Sequence, residues 1–287
     1  MGLGIAVGLT IGRPEATVVT AATRASADAL FVDAQRTVAE AALVRWRVWT
    51  TTQGLRVYYM PGDGAQAGIV VGALQHFYPE VMADFGLPLG GAWPVVVCSP
   101  AQMVRLVGGP ADDAPLGAYY RGVVWLLAPS AVVGPAATVA SYERLGPVAH
   151  ELTHLAEGLI AGGRVPSWLN EGIAQYEDWR LSGYVWVSGA NRFDQATYSW
   201  AQLTSGNFYA LPNQALAYRQ ALAVTAVICR EGQGACGRLL RALRAGEAAP
   251  QAIAAITGMR ELRALAAGAA WKDGSGPLPG EVAGPVP

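Results

Sequence analysis

Apolar residues recur along this chain with two different periods, and the dominant period changes near Gly146. Before that point most apolar runs are short or alternating. "RWRVWTTTQGLRVYYM" alternates on either side of Gln53-Gly54, the pattern of a β-hairpin. "PVVVCS" has the continuous apolar character of a short buried strand, and "AYYRGVVWLLAPS" reads as a strand or a pair of strands. Two stretches in this half have helical spacing. Residues 24–45 are Ala-rich, with Leu30, Val38 and Leu43 spaced apart. "GIVVGALQHFYPEVMADFG" sets Val70, Leu74, Phe77, Val81 and Phe85 one turn apart and stops at Gly86. After Gly146 the chain reads as helices over 147–161, 167–180, 214–231, 235–244 and 259–271, most of them separated by Gly or Pro.

Strands followed by helices predict an α+β fold, with a mixed β-sheet in the N-terminal half, a helical C-terminal half and a cleft between them. The corresponding boundaries are an apolar N-terminal segment 1–23, an α/β subdomain 24–146, a helical subdomain 147–272 and a Gly/Pro tail 273–287 that offers little to pack. No repeat of 20–50 residues is visible.

Composition narrows the functional classes. Of 287 residues 52% are hydrophobic and 14% charged, which suits a compact globular chain rather than a disordered one. With 20 basic and 21 acidic residues there is no basic field for nucleic acid, so none is expected as a partner. The opening run "MGLGIAVGLTIG" is too short to span a bilayer and lacks the basic residues that precede a signal sequence. It fits either a shortened signal or anchor or a buried strand, and membrane association is expected only through it. The compartment stays open, with export or membrane attachment ahead of the cytoplasm. Three cysteines give no framework: Cys98 reads as a small buried residue, and Cys229 and Cys236 can pair in an oxidising compartment, although nothing in their spacing requires it.

The chemistry concentrates in "HELTHLAEGLIAGGRVPSWLNEGIAQYEDW", residues 150–179. Pro147 opens a helix that Gly162 and Gly163 close, anchored by Val148, Leu152, Leu155 and Leu159. His150 and His154 are i and i+4, so both imidazoles leave the same face and can reach one Zn²⁺. Glu151 follows the first His and leans toward the open side of the metal without being a ligand, the arrangement of H-E-x-x-H hydrolases. A catalytic zinc takes a third protein ligand. The only other histidine, His76, lies far off on a predicted helix surface, whereas Glu171 falls in the first turn of a helix expected to start at Trp168 with Ser167 as its N-cap. The short connection between the two helices folds Glu171 back over the histidines. Asp178, on the same face, can accept the free N–H of a ligating His. The competing interpretation is a pair of surface histidines and a Glu171 stabilised by its helix dipole. Chance produces H-E-x-x-H on the order of once in a thousand chains with so few histidines, which favours the metal.

"HELTH" followed by "PSWLNEGIAQY" resembles the zinc signature of the gluzincin metallopeptidases, and within them the peptidase MA-like domains. "WLNEG" is also seen in enzymes of the aminopeptidase N type. The segments "AYRQALAVTAVICREGQGACGRLLRALRAGE" and "ITGMRELRALAAGAAW" are similar to helices that follow in MA-like domains, so the resemblance extends over roughly residues 45–271. It implies a zincin-like fold, His150, His154 and Glu171 as ligands of one Zn²⁺ per chain, and Glu151 as general base. It also implies a Tyr that polarises the transition state. Of Tyr176, Tyr184, Tyr198, Tyr209 and Tyr218, the last, in "LAYRQA", is the first choice. Tyr198 and Tyr209 fall in a loop that can line the cleft. Only sixteen residues separate His154 from Glu171, fewer than in the aminopeptidase N type, and the Gly-Ala-Met-Glu-Asn segment that holds a free amine there is absent. The resemblance therefore implies a zinc endopeptidase acting on a peptide or protein substrate. A zinc hydrolase of another amide or ester, or an idle peptidase-like binding module, are the alternatives. The strand "GVVWLLAP" is a candidate sheet edge for aligning an extended peptide, with a plain core strand as the competing reading.

Overall fold

The computed structural model describes residues 36–258, apart from 38, 42, 109–113, 121, 187–197 and 230–233. The expected N-terminal segment, the helix at 259–271, the C-terminal tail and most of the helix at 24–45 lie outside these residues.

The chain forms an α+β fold with one mixed five-stranded sheet. Strands β1 (Arg47–Thr50) and β2 (Arg56–Tyr59) pair antiparallel around the Gln53-Gly54 turn, as the alternation predicts. β2 then pairs parallel with β3 (Pro94–Cys98), and β3 parallel with β5 (Val123–Leu127). β4 (Gly117–Tyr120) pairs antiparallel with β5 and ends the sheet, whose order is β1-β2-β3-β5-β4. "AYYRGVVWLLAPS" is therefore two strands, and "GVVWLLAP" lies inside the sheet. The expected edge is corrected: it belongs to β4, because β5 is fully buried and hydrogen-bonded on both sides.

Both faces of the sheet are covered, which is why β3 and β5 are apolar throughout. Val57, Val95, Val97, Val124 and Leu126 face the large core shared with the helices. Tyr58, Val96, Cys98, Val123, Trp125 and Leu127 face a smaller cluster with Leu43 and Met103. The large core runs without interruption across residue 146, from Leu55 to Ile253.

Helix α1 (Gly64–Phe85) buries Val70, Leu74, Phe77, Val81 and Phe85, the residues expected from its spacing, and Gly86 caps it in the left-handed region. Pro79 lies within it and has no N–H to offer Gln75, whose carbonyl instead accepts the Gln53 side-chain amide at 3.4 Å. Four short helices interrupt or follow the strands: α2 (Pro100–Leu106), α3 (Pro129–Val132), α4 (Val139–Leu145) and, later, α7 (Trp200–Leu203).

The helical half contains α5 (Val148–Ala161), α6 (Ser167–Ser182), α8 (Gln214–Cys229), α9 (Ala235–Ala245) and α10 (Ala249–Thr257). Pro147 stands at the cap position of α5, and Gly162, left-handed at φ 59°, closes it. α6 begins one residue earlier than expected: Ser167 is its first residue, and extended Pro166 occupies the cap position. The Pro166 carbonyl takes the N–H groups of Leu169 and Asn170, both at 2.9 Å, so the serine hydroxyl is not needed there. Cys229 and Cys236 form a disulfide that ties the end of α8 to the start of α9 across a Cα–Cα distance of 5.3 Å. Cys98 is free and buried. No helix among the described residues is long and apolar enough to cross a membrane.

The contact that fixes α6 is made by Gly172, next to Glu171. A Cβ placed there would lie 2.2 Å from Thr225 Oγ1 and 2.7 Å from the Ala221 carbonyl oxygen of α8, so the two helices approach as closely as a missing side chain allows. Gly172→Ala must push α8 away or distort α6. It is expected to destabilise the protein by about 1–3 kcal/mol, read from the urea midpoint at unchanged m-value; an unchanged midpoint would refute this account of the helix pair.

Candidate metal centre

α5 projects His150 and His154 from one face, and α6 folds back so that Glu171 meets them. His150 Nε2 lies 3.1 Å from His154 Nε2. Glu171 Oε2 lies 3.3 Å from His150 Nε2 and 3.6 Å from His154 Nε2. Ligands bound at about 2.0–2.1 Å in a tetrahedral arrangement must themselves be about 3.3 Å apart. The three donor atoms thus already have the spacing of three corners of a tetrahedron, and the group is suited to hold a metal ion. Two imidazoles among three donors fit a first-row transition metal better than Ca²⁺ or Mg²⁺, which favour oxygen shells. His76 takes no part: it is exposed, stacked on Phe77 and paired with Glu143 at 3.0 Å.

The group that orients His154 was not foreseen in the sequence. His154 Nδ1 lies 2.8 Å from Glu157 Oε2, and Asn170, the residue before Glu171, donates its amide to the same carboxylate oxygen. An Nδ1 proton shared with Glu157 leaves the Nε2 lone pair aimed at His150 and Glu171. The signal was local, since Glu157 is i+3 from His154 on one helix face, but its apolar surroundings are supplied by other elements. Asp178 is buried and accepts the Ser182 hydroxyl at 3.0 Å, and among its charged neighbours His150 has the largest effect on it.

The buried group is strongly coupled electrostatically. At His150 burial opposes the imidazolium, yet the Glu171 hydrogen bond and the Glu151 and Glu171 charges outweigh burial and the neighbouring His154, and the pKa is raised. At His154 burial is likewise overcome by Glu171 and Glu157, and the pKa is well above the usual imidazole range. Burial would raise Glu171, but the two histidines hold it well below the usual carboxylate range. Glu157 is pushed up by burial to about 7, with His154 pulling the other way.

Glu151 lies beside this group, on the side of edge strand β4. Gly117 makes room for it: a Cβ at that position would lie 2.6 Å from Glu151 Cγ and 2.7 Å from Oε1. The Tyr119 backbone hydrogen-bonds the carboxylate, while Oε2 is buried without a hydrogen-bond partner. Burial raises the Glu151 pKa, and the charges of His150 and His154 moderate the rise.

These groups line one cavity of about 360 Å³, walled on one side by Gly117, Ala118 and Tyr119 of β4 and on the other by Tyr209 and Tyr218. Tyr218, on α8, packs against Phe208 at 5.3 Å between ring centroids. Its pKa is raised by burial and then by the Glu171 charge, so its phenol keeps the proton. Tyr209, on the 3-10 turn Phe208–Ala210, donates its hydroxyl to Glu171 Oε1 at 2.7 Å. The other three candidate tyrosines serve elsewhere. Tyr176 is in the core, Tyr184 is half-buried with its N–H on Ser182, and Tyr198 accepts the Asn213 N–H at 2.7 Å. The structure thus brings together His150, Glu151, His154, Glu171 and Tyr218, and adds Glu157, Asn170 and Tyr209.

Comparison with protein-family models, with curated proteins and with solved structures finds no match to this chain.

The buried carboxyl of Asp178 has a measurable signature. Burial raises its pKa from 3.8 to about 7, the His150 charge and the Ser182 hydrogen bond pulling it down and the Glu151 charge adding to the rise. Between these values the folded state binds more protons than the unfolded chain, so this contribution to stability is present at low pH and is lost as pH rises through 7. Asp178→Asn keeps an acceptor for Ser182 but removes the titration. In metal-free protein its stability is expected to fall less than that of the wild type between pH 4 and 8; parallel stability curves would refute the assignment.

Proposed function

We propose that the protein is a zinc-dependent metallopeptidase of the gluzincin type, with a zincin-like arrangement of sheet edge and helices around the metal. The single observation that carries this reading is the triangle of His150 Nε2, His154 Nε2 and Glu171 Oε2, whose edges of 3.1–3.6 Å fit a tetrahedral zinc, with the H-E-x-x-H glutamate, Glu151, beside it. Zinc held there would lower the pKa of a water and polarise a substrate carbonyl.

The protein's own groups supply the rest. Glu151, with a raised pKa and a buried oxygen lacking a partner, takes the proton of the attacking water and returns it to the leaving amine. Water and amide thereby become carboxylate and amine. Tyr218 retains its proton and lines the cavity, so its O–H can support the oxyanion that forms at the carbonyl oxygen. Among the described residues lining the cavity there is no Arg or Lys to hold a terminal carboxylate. Glu157, the carboxylate beyond ligand and base, is engaged by His154 and Asn170 rather than free for a terminal amine. Both facts favour cleavage within a chain over removal of its end residues.

Metal content and casein or peptide cleavage, with and without a chelator, test this reading. Glu171→Ala should lose most bound zinc, because one of three protein ligands is gone; stoichiometric zinc in that variant would move the third ligand elsewhere. Glu151→Gln should keep zinc and fold while turnover falls about 10²–10⁴-fold, since an amide cannot accept the proton. Activity on esters alone would point instead to a non-peptide hydrolase, and a zinc-loaded wild type inert toward both would mark a binding module.

A further inference from the structure

Glu171 has two oxygens, and the structure treats them differently. Oε2 faces both imidazoles, at 3.3 and 3.6 Å. Oε1 accepts the Tyr209 hydroxyl at 2.7 Å, the length of a strong bond between a hydroxyl and an oxygen acceptor. We infer that Tyr209 is a positioning residue that engages Oε1 and so presents Oε2 alone to the ion. This inference rests on the metal reading of the site.

The placement of Tyr209 supports it. The residue is 58% exposed, so burial of the ring is a poor reason for its position. Its neighbour provides the anchor: Phe208 is buried, with its ring against Tyr218 at 5.3 Å. The Gln214 amide then ties the turn down, donating to the Phe208 carbonyl at 3.0 Å and the Leu211 carbonyl at 2.7 Å. A turn fixed from behind thus holds an exposed phenol whose hydroxyl meets a carboxylate oxygen.

The consequence follows from coordination chemistry. A carboxylate can bind a metal through one oxygen or through both. A catalytic site with three protein ligands needs its fourth position for water or substrate. An Oε1 without its phenol partner is free to turn to the ion and compete for that position. Tyr209 therefore acts through Glu171, keeping the carboxylate single-toothed and the fourth position open. Tyr218, which approaches the same cavity from α8, also interacts with Glu171, but the 2.7 Å bond to Oε1 is made by Tyr209.

Tyr209→Phe tests this in the full chain. The exposed ring is retained, so the metal-free protein should still unfold cooperatively, its melting temperature lowered only by the loss of one hydrogen bond. After loading with Co²⁺ in place of zinc, the visible absorption should weaken relative to the wild type as the coordination number rises, and zinc-supported turnover should fall about 10–100-fold. Tyr218→Phe should lower turnover while changing the cobalt spectrum less than Tyr209→Phe does. A Tyr209→Phe spectrum that superimposes on the wild type overturns the inference and leaves the metal reading intact. Loss of cooperative unfolding in metal-free Tyr209→Phe overturns it too, by making the residue structural. Wild-type protein that binds neither cobalt nor zinc overturns both readings together.

Discussion

Three electron-rich atoms held at 3.1–3.6 Å from one another in a buried place repel unless something positive stands between them. That constraint organises the helical half. The α-helical repeat aligns two imidazoles one turn apart, and the apolar stripe of α5 keeps their helix from rotating. Gly172 lets α6 and α8 approach closely, which sets where the neighbouring Glu171 can reach. Each of these packing features costs little alone and acquires meaning because the three atoms must meet. The raised affinities of His150 and His154 for protons express the same demand for positive charge.

The sheet contributes differently. Its central strands β3 and β5 are apolar on both faces and buried throughout. Its antiparallel edge, β4, borders the cavity, with Gly117 beside Glu151 and Tyr119 over Gly158. The site is therefore assembled between a sheet edge and a helix pair, with Tyr209 of the 3-10 turn at Phe208–Ala210 as an exposed part of its wall. The disulfide between Cys229 and Cys236 closes the far end of α8, away from the residue that faces the cavity, so Tyr218 projects from a helix tied at its distal end.

Much of this was legible in the sequence because it depends on short-range spacing. The hairpin around Gln53-Gly54, the helix ending at Gly86, β3, and the helices bearing His150, His154 and Glu171 all announce themselves within a dozen residues. What could not be read depends on distant partners. That β5 is interior and β4 the edge is decided by pairing with β3. That Tyr209 reaches Glu171 is decided by how Phe208 and Gln214 pin a turn with no periodic pattern. Glu157 stood in plain view beside His154, but only the folded chain shows that it is buried and that Asn170 shares it. The short helices α2, α3 and α4 have too few turns for periodicity to stand out, and the position of Ser167 shifted because Pro166 already supplies an extended cap. The Cys229–Cys236 pair was one of two open readings that only proximity could separate.

Two places where the backbone of one element meets a side chain of another bear on how tolerant this chain is to change. At Gly117 the space a side chain would fill is taken by Glu151, and at Gly158 it is taken by the Tyr119 ring, 2.9 Å from where a Cβ would stand. Neither glycine touches the proposed ion or carries a reactive group. A side chain at either position would press on Glu151 or on the Tyr119 ring and so reach the cavity indirectly. The shape of this cavity thus depends on atoms the chain lacks as well as on those it displays.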